Sequence, residues 1–504
     1  MGLLLVLSCA LISLHTTKVR ASLGPHEAEY STNQGGLLNV DLGPLGTIKE
    51  TVDFPLGLGL DVVVKEIPEE LQAIEMQNTL NALSQDFASY LQFFGTVNDT
   101  VSMVQRALII ELVRNFLIAL GISIATAGVI AALIGKGRLR QLNKTYFPRA
   151  LPATLLIANF AIVIVALAPG KIPDSQKLSA VESAVFEGTA FEGAVITGRL
   201  ASVIDSASEE LKSQYQKNEE FYLTAEDNLQ ATWSQRVLPS SARQMIYLDR
   251  SSEYSPNENV VNVVLVSDLH CNTGMSHIIK TTAELSNAQI IFNAGDTTIN
   301  GTTVEQVCVQ SFAKAVPKGA VMVQADGNHD SSHTSAQAKS LGIEVLAGKV
   351  IDVSGIKILG DADPKATRFG QGSSLAGTET PAEAAQRLAE TACQEEDGVD
   401  LLLIHTPTVG TPAMESGCVA MQFSGHIHRH QGPERIGEGI RYISSTTAGA
   451  VSGQLTVGPL KGTAELSVLR FDKVKRKFLD YRIIEINPDM SVRISDREVL
   501  SVEP

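Results

Sequence analysis

Cysteine is scarce in this chain of 504 residues, five in all, and no two stand at a CxxC spacing. That argues against a zinc–thiolate site. Positive charge is also short: 40 Lys and Arg stand against 55 Asp and Glu, a net charge of −15. No nucleic-acid-binding surface is therefore evident, since phosphate backbones select basic faces. An acidic protein can still hydrolyse anions when bound dications supply local positive charge. Two stretches, 115–135 and 150–169, lack charge altogether. The fourteen residues between them lack Asp and Glu.

These last absences carry a topology. Hydrophobic residues make up 44% and mean hydropathy is +0.10, high for a soluble protein. Residues 115–135 and 150–169 are each long enough to cross a bilayer as a helix. Asn159, inside the second, needs a partner, expected on the first. Lys136, Arg138, Arg140, Lys144 and Arg149 make the intervening loop 136–149 cytoplasmic by the positive-inside rule. Both flanks of this transmembrane hairpin then face outward. The expectation is a multi-pass protein of the cell membrane, with the lipid bilayer as a partner and its C-terminal half extracytoplasmic. Cys271, Cys308, Cys393 and Cys418 lie in that outward half, where disulfides are permitted. Four cysteines allow three pairings, and all three stay open.

Before the hairpin, residues 1–21 read as a signal segment or short anchor, because the apolar run 1–14 falls below the ~20 residues of a full span. Cys9 has too few residues ahead of it for a lipoprotein cysteine. Residues 22–114 read as an extracytoplasmic β/α region: 35–68 alternates Leu and Val with polar residues between Gly and Pro turns, and 68–113 carries apolar residues at helical spacing. Residues 170–258 read as a helical linker, with a boundary in the polar stretch 239–259. The last domain then runs over 259–504.

Its first strand, Val263-Val-Leu-Val266, is short, apolar and β-branched, and ends by presenting Asp268 and His270 on one side of an extended chain. The pattern recurs downstream. Gly295-Asp296 closes the strand 289–293, Gly327-Asn-His-Asp330 the strand 320–324, and His405 the strand 400–404. Gly425-His-Ile-His428 follows a fifth short stretch at 419–423. Each time a metal-competent side chain stands at the carboxyl end of an apolar run, the edge where open α/β sheets bind ligands.

These five motifs in this order resemble the signature of the calcineurin-like metallophosphoesterases, over about half the chain. Membrane segments ahead of such a domain resemble membrane-bound actinobacterial metallophosphoesterases more loosely. The resemblance implies an α/β fold, a double β-sheet sandwich flanked by helices, here preceded by the transmembrane hairpin and the small N-terminal β/α region. It implies two divalent metal ions. The first would take Asp268, His270, Asp296 and His428; the second Asp296, Asn328, His405 and His426, with Asp296 bridging. Mixed nitrogen and oxygen donors suit Mn, Fe, Zn or Ni better than Ca. The implied activity is hydrolysis of a phosphomonoester or phosphodiester by metal-activated hydroxide.

Further roles follow from position. His329, beside a ligand but not needed as one, is the candidate general acid. Asp330 is expected to orient that imidazole or to cap the following helix. His430 is expected in a solvated loop, and Asn272 in a turn or on a phosphate oxygen. Asp361 and Asp363 read as a turn. The phosphoester substrate stays open. A catalytically silent metal-binding receptor or scaffold on the same fold is the competing expectation.

Overall fold

The computed structural model describes residues 2–23, 26–33, 36–41, 47–51, 59–65, 97–145, 181–182, 195–197, 216–237, 259–302, 305–368, 372–451, 454 and 456–500. The chain divides into two compact units, Met1–Ile67 with Val97–Glu210, and Pro68–Thr96 with Leu211–Pro504.

In the first unit an apolar helix, α1 (Gly2–Thr16), leads into strands β1 (Lys18–Leu23), β2 (His26–Asn33), β3 (Leu37–Asp41), β4 (Thr47–Thr51) and β5 (Gly59–Val64). After helix α2 (Val97–Thr145) come two short strands, β6 (Val181–Glu182) and β7 (Val195–Thr197). They complete one sheet in the order β1-β2-β5-β3-β4-β7-β6. Alternation buries Ala28, Tyr30, Val40 and Val62 on one face, against Val104 of α2. The expected boundary at residue 21 falls inside β1. Residues 181–182 and 195–197, expected as helical linker, are strands of this sheet, with β7 antiparallel to β4.

Helix α2 is long because nothing in it stops a helix before Gly135, where the backbone leaves helical dihedrals at φ 75° and ψ 149°. Such a φ is open to glycine at little cost. Residues 136–145, expected as loop, continue as helix beyond that break. Ile109, Ile110, Val113, Leu117, Ile118, Ile122 and Ile124 are all exposed, at 48–63%. Within α2, Val104–Thr126 is long and apolar enough to cross a membrane, and Val104 is its one buried residue among those described. The expected span 115–135 overlaps it. The expected second span, 150–169, lies outside the described residues, as do most of 68–96. Helix α1 lies along α2, with Ser13 Oγ donating to Leu112 O at 2.5 Å and Cys9 buried near Ser123.

The second unit begins with a helix, α3, over residues 216–237. It is no linker: Phe221, Tyr222, Ala225, Leu229, Trp233 and Val237 are buried in the core of this unit. Two sheets follow. The first runs β11-β10-β9-β8-β20-β21-β22, from β8 (Val260–Val266), β9 (Ile290–Asn293), β10 (Val321–Gln324), β11 (Glu344–Val345), β20 (Ala464–Asp472), β21 (Lys477–Ile486) and β22 (Val492–Ile494). The second runs β12-β13-β16-β17-β19-β18, from β12 (Ile351–Val353), β13 (Ile356–Gly360), β16 (Leu401–Leu403), β17 (Met421–Ser424), β18 (Gln431–Ile436) and β19 (Gly439–Ile443).

Strand periodicity sorts the layers. Val263 and Leu265 of β8 meet Ile358, Leu403, Phe423 and Tyr442 of the second sheet in a core between the sheets. Val264 and Val266 point the other way, into the core with α3 and the helix Met275–Leu285. The helix Pro381–Gln394 covers the outer face of the second sheet through Ala385, Leu388 and Ala392. The expected mixed α/β architecture of several sheets flanked by helices is what this unit adopts. Within the parallel blocks β8–β11 and β13–β16–β17–β19, the C-terminal strand ends carry the polar motifs.

Candidate metal centre

The motif loops are held in unusual backbone. Asp268 (φ 53°), His270 (38°), Asp296 (56°), His426 (73°) and His428 (52°) all adopt left-handed φ without being glycine. Such conformations persist only where surrounding bonds over-determine them, and they gather at functional sites. Here the first two loops zip together: Asp268 N donates to Gly295 O (2.9 Å), His270 N to Asp296 O (2.9 Å) and Cys271 N to Thr297 O (3.0 Å). Thr446 Oγ1 holds Asp268 O at 3.0 Å, and Thr456 Oγ1 holds His270 O at 2.5 Å.

Two glycines are needed for close approach. A Cβ on Gly327 would stand 2.1 Å from Asp296 Oδ1, and one on Gly425 would stand 1.7 Å from Ser267 Oγ and 2.5 Å from Asp268 Oδ2. The motif glycines therefore let two ligand loops close on the carboxylates.

The side chains converge into two groups that share Asp296. Asp268, His270, Asp296 and His428 each place a donor atom within 4.8 Å of the others, and so do Asp296, His405 and His426. His428 Nε2 is 3.2 Å from Asp268 Oδ1, His405 Nε2 is 3.1 Å from Asp296 Oδ2, and His270 Nε2 is 3.1 Å from His428 Nε2. Ligands about 2.0–2.2 Å from one ion sit roughly 3 Å from each other. His405 Nδ1 faces Ala294 O at 2.7 Å, so that ring presents Nε2 to the cluster. Such a bond sets the tautomer of a metal-binding imidazole.

Two buried atoms test the fit. Asn328 Oδ1 and His405 Nε2 find no hydrogen-bond partner among the described residues. His405 Nε2 is near a carboxylate but not in bonding geometry. Burying an unsatisfied polar atom costs about 1–3 kcal/mol, and a divalent ion at each group would satisfy both. The donors, four imidazoles, two carboxylates and one amide, fit two such ions. His329 N bonds Asp296 Oδ1 at 2.9 Å, which places Asn328 one residue from the bridging carboxylate.

The charges balance without help from Lys or Arg. Burial opposes ionisation of Asp296, but the His405 charge beside it holds its carboxyl well below the usual range. Burial likewise opposes charge on His405, yet Asp296 pushes it up to about 10. His270 goes the other way, pushed down to about 4 chiefly by burial. Dications binding here would take over the role of the imidazole protons.

Several expectations are corrected. Asp330 does not orient the His329 ring. Its carboxylate accepts from Thr297 N (3.2 Å), Thr298 N (3.0 Å), Thr298 Oγ1 (2.9 Å) and Gly327 N (2.9 Å), fastening the Asp296 loop to the Asn328 loop. Nor does it cap the next helix, which Ser331 does. The His329 ring is oriented instead by Ile299 O, 2.6 Å from Nδ1, and lies with its centroid 5.0 Å from that of His270. His430 is half-buried rather than free in solvent: Nδ1 pairs with Glu465 at 3.1 Å and the ring packs on Tyr442. Asn272 does close a turn, its N donating to Leu269 O at 2.8 Å, while its side chain is buried, with Oδ1 2.8 Å from the Tyr222 hydroxyl and Nδ2 on Ala448 O. Asp361 pairs with Arg387, and Asp363 accepts from Thr406 at 2.5 Å. The cysteines pair as 271–308 and 393–418.

Three residues beside the site were missed in sequence. Arg368 donates to Asn328 O (3.1 Å) and Asp330 O (3.0 Å), clasping the Asn328 loop from a hairpin without any sequence signal of its own. Tyr222 comes from α3, forty-eight positions before His270. Glu305 does have a signal, since Thr302-x-x-Glu305 is a capping-box spacing before a helix.

Comparison with known proteins adds likenesses of low score. No family model matches the chain, and no curated protein does. Solved structures are similar over somewhat less than half of it. One is a novel archaeal phosphodiesterase, 13% identical, covering 45% of this chain and 99% of that one at a TM-score of 0.28. Another is a phosphatase of Mycoplasma pneumoniae, 13% identical over 45% and 94% at 0.32. A third is a metallophosphoesterase from Sphaerobacter thermophilus, 11% identical over 48% and 88% at 0.22. At these scores the likeness adds no weight to the residue geometry.

Proposed function

We propose that the chain is a membrane-anchored, dinuclear-metal phosphoesterase of the calcineurin-like type, hydrolysing phosphomonoesters or phosphodiesters. One observation carries the reading: two donor groups sharing Asp296, with Asn328 Oδ1 and His405 Nε2 buried and unpartnered at their edge. When bound, two divalent ions there supply charge neutralisation for the phosphoryl oxygens and an activated water.

The chain's own residues do the rest. Asp268, His270, Asp296 and His428 hold one ion; Asp296, Asn328, His405 and His426 hold the other. His329, its Nδ1–H engaged by Ile299 O, acts as an imidazolium and gives its Nε2 proton to the departing ester oxygen as the P–O bond breaks, leaving the ring neutral. Asp330 and Arg368 keep the Asn328–His329 loop in register.

The first unit supports the membrane part of the reading. β7 pairs with β4, so residues 195–197 lie on the same side as 47–51. A chain that leaves that side through α2 crosses back before β6. The apolar stretch 150–169 is the segment long enough to do so. With the basic residues 136–149 inside, the sheet and the phosphoesterase unit lie outside.

The test uses the full chain in detergent, loaded with Mn, against p-nitrophenyl phosphate and its bis-p-nitrophenyl diester, with metal counted on the same sample. Turnover that Asp296→Asn abolishes together with metal would support the enzyme, and the preferred ester names its substrate class. Two metals without turnover of either ester would favour the silent receptor. Maleimide labelling of Lys49→Cys and Lys136→Cys in sealed cells tests topology: only the first should react from outside.

A further inference from the structure

The reading above leaves the half-buried carboxylate of Glu305 without a task. Glu305 stands just ahead of the helix Gln306–Lys314. Both of its oxygens are turned into the loop 299–302. Oε1 accepts from Ile299 N (2.6 Å) and Asn300 N (3.1 Å), and Oε2 from Thr302 N (2.8 Å) and Thr302 Oγ1 (3.0 Å). A turn wrapped this way around one carboxylate cannot shift without breaking several charge-assisted bonds together. The same turn presents Ile299 O to His329 Nδ1 at 2.6 Å. A carbonyl only accepts, so Nδ1 carries one proton, and to act as the acid the ring must be the imidazolium, with a second proton on Nε2 to give.

We propose that Glu305 is a positioning residue for His329, aiming the imidazole at the leaving group through the 299–302 turn. The chain of contacts runs from carboxylate to turn, from the Ile299 carbonyl to the ring, and from the ring to the ester oxygen. A second link ties this device to the metal loop. Cys308, in the first turn of the same helix, is bridged to Cys271 beside His270. The acid and the first metal group are thus anchored on one helix end. This inference rests on His329 being the acid, as proposed above.

The two ideas separate by leaving group. p-Nitrophenolate departs readily without a proton, whereas phenolate needs one more, so a misaimed acid is felt chiefly on the phenyl ester. The full chain, loaded with Mn, is compared with Glu305→Gln, His329→Ala and the double variant on p-nitrophenyl and phenyl phosphate, or on the matching diesters if those are preferred. Metal content and melting temperature are read on each sample. Glu305→Gln should keep its Mn and lose roughly 10- to 100-fold in kcat on the phenyl ester, the range for groups that orient a functional side chain. The nitrophenyl ester should lose only a few-fold, and the double variant should be no worse than His329→Ala. Equal losses on both esters, or loss of Mn with activity, would overturn the proposal and leave Glu305 a structural cap. A His329→Ala loss that ignores the leaving group, or a wild-type chain inert to both esters, would sink the acid assignment and this inference with it.

Discussion

Two apolar stretches of this molecule face opposite ways. In β8, Val263, Val264, Leu265 and Val266 are completely buried, shared between the inter-sheet core and the helices outside it. In α2, Ile109, Leu117 and Ile122 are 58–63% exposed. Apolar side chains leave water at a gain of about 25 cal/mol per Å², so both runs must be covered. One is covered by the protein itself. The other is covered by α1 on one side only, leaves Ile109, Leu117 and Ile122 bare among the described residues, and is long enough to cross a bilayer. Hydrophobicity alone does not separate the two; the presence of a partner surface does. A second contrast lies in polar groups: the second unit buries Asp268, Asp296, Asn328 and His405 together, a costly arrangement without compensating partners.

The contrast can be broken most severely at α3. A fragment of residues 256–504 omits Phe221, Tyr222, Leu229, Trp233 and Val237. Each buried side chain of this kind contributes about 1.5–3 kcal/mol, so the loss approaches the ~5–15 kcal/mol that stabilises a whole domain. The fragment is expected to show no cooperative thermal transition, while 211–504 melts as a unit. A cooperative melt of the shorter fragment would make α3 a mere attachment.

The same substitution on the two apolar stretches sharpens it further. Val264→Asp is expected to unfold the second unit. Ile118→Asp should leave turnover intact and loosen the chain from membranes, by about 2.5–3.5 kcal/mol if it lies mid-bilayer. Carbonate extraction and an ester assay on the same preparation read both. Equal damage to activity would mean that α2 packs on protein.

Chelation comes next in size. Stripping the metals would leave Asp268 and Asp296 buried without a dication to offset their charge, so turnover should vanish and the melting temperature fall, both restored by Mn. An unchanged melt with and without chelator would count against a metal at these residues. Smallest is Arg368→Ala, expected to lower kcat about 10- to 100-fold through the Asn328 loop while most Mn is retained. Wild-type kcat would show that the clasp is redundant.

Much of the site was legible because its chemistry is local. A Gly followed by Asp, Asn or His at a strand end records a tight approach of backbone to carboxylate, as Gly327 and Gly425 now illustrate. Glu305 was legible in principle through its capping-box spacing. Asp330 was misassigned because sequence adjacency to His329 suggested a contact, whereas the carboxylate turns back to Thr297, Thr298 and Gly327. The linker was misread for a related reason. Apolar spacing in 216–237 marks a helix face but does not say what the face lies against, and 195–197 is too short to display a strand period.

What the sequence by itself determined is therefore the set of strands that end in donor residues, their order, and the length and charge of the stretches that can enter a bilayer. These are properties of a few consecutive residues, set by period, length and side-chain type. Only the tertiary structure decided which cysteines pair, that α3 is built into the core of the second unit, that β6 and β7 return to the N-terminal sheet, and that Ile299 rather than Asp330 engages the His329 ring. Each of these depends on groups far apart in the chain meeting through space, where packing and hydrogen-bond satisfaction of the whole unit, not local preference, select the partner.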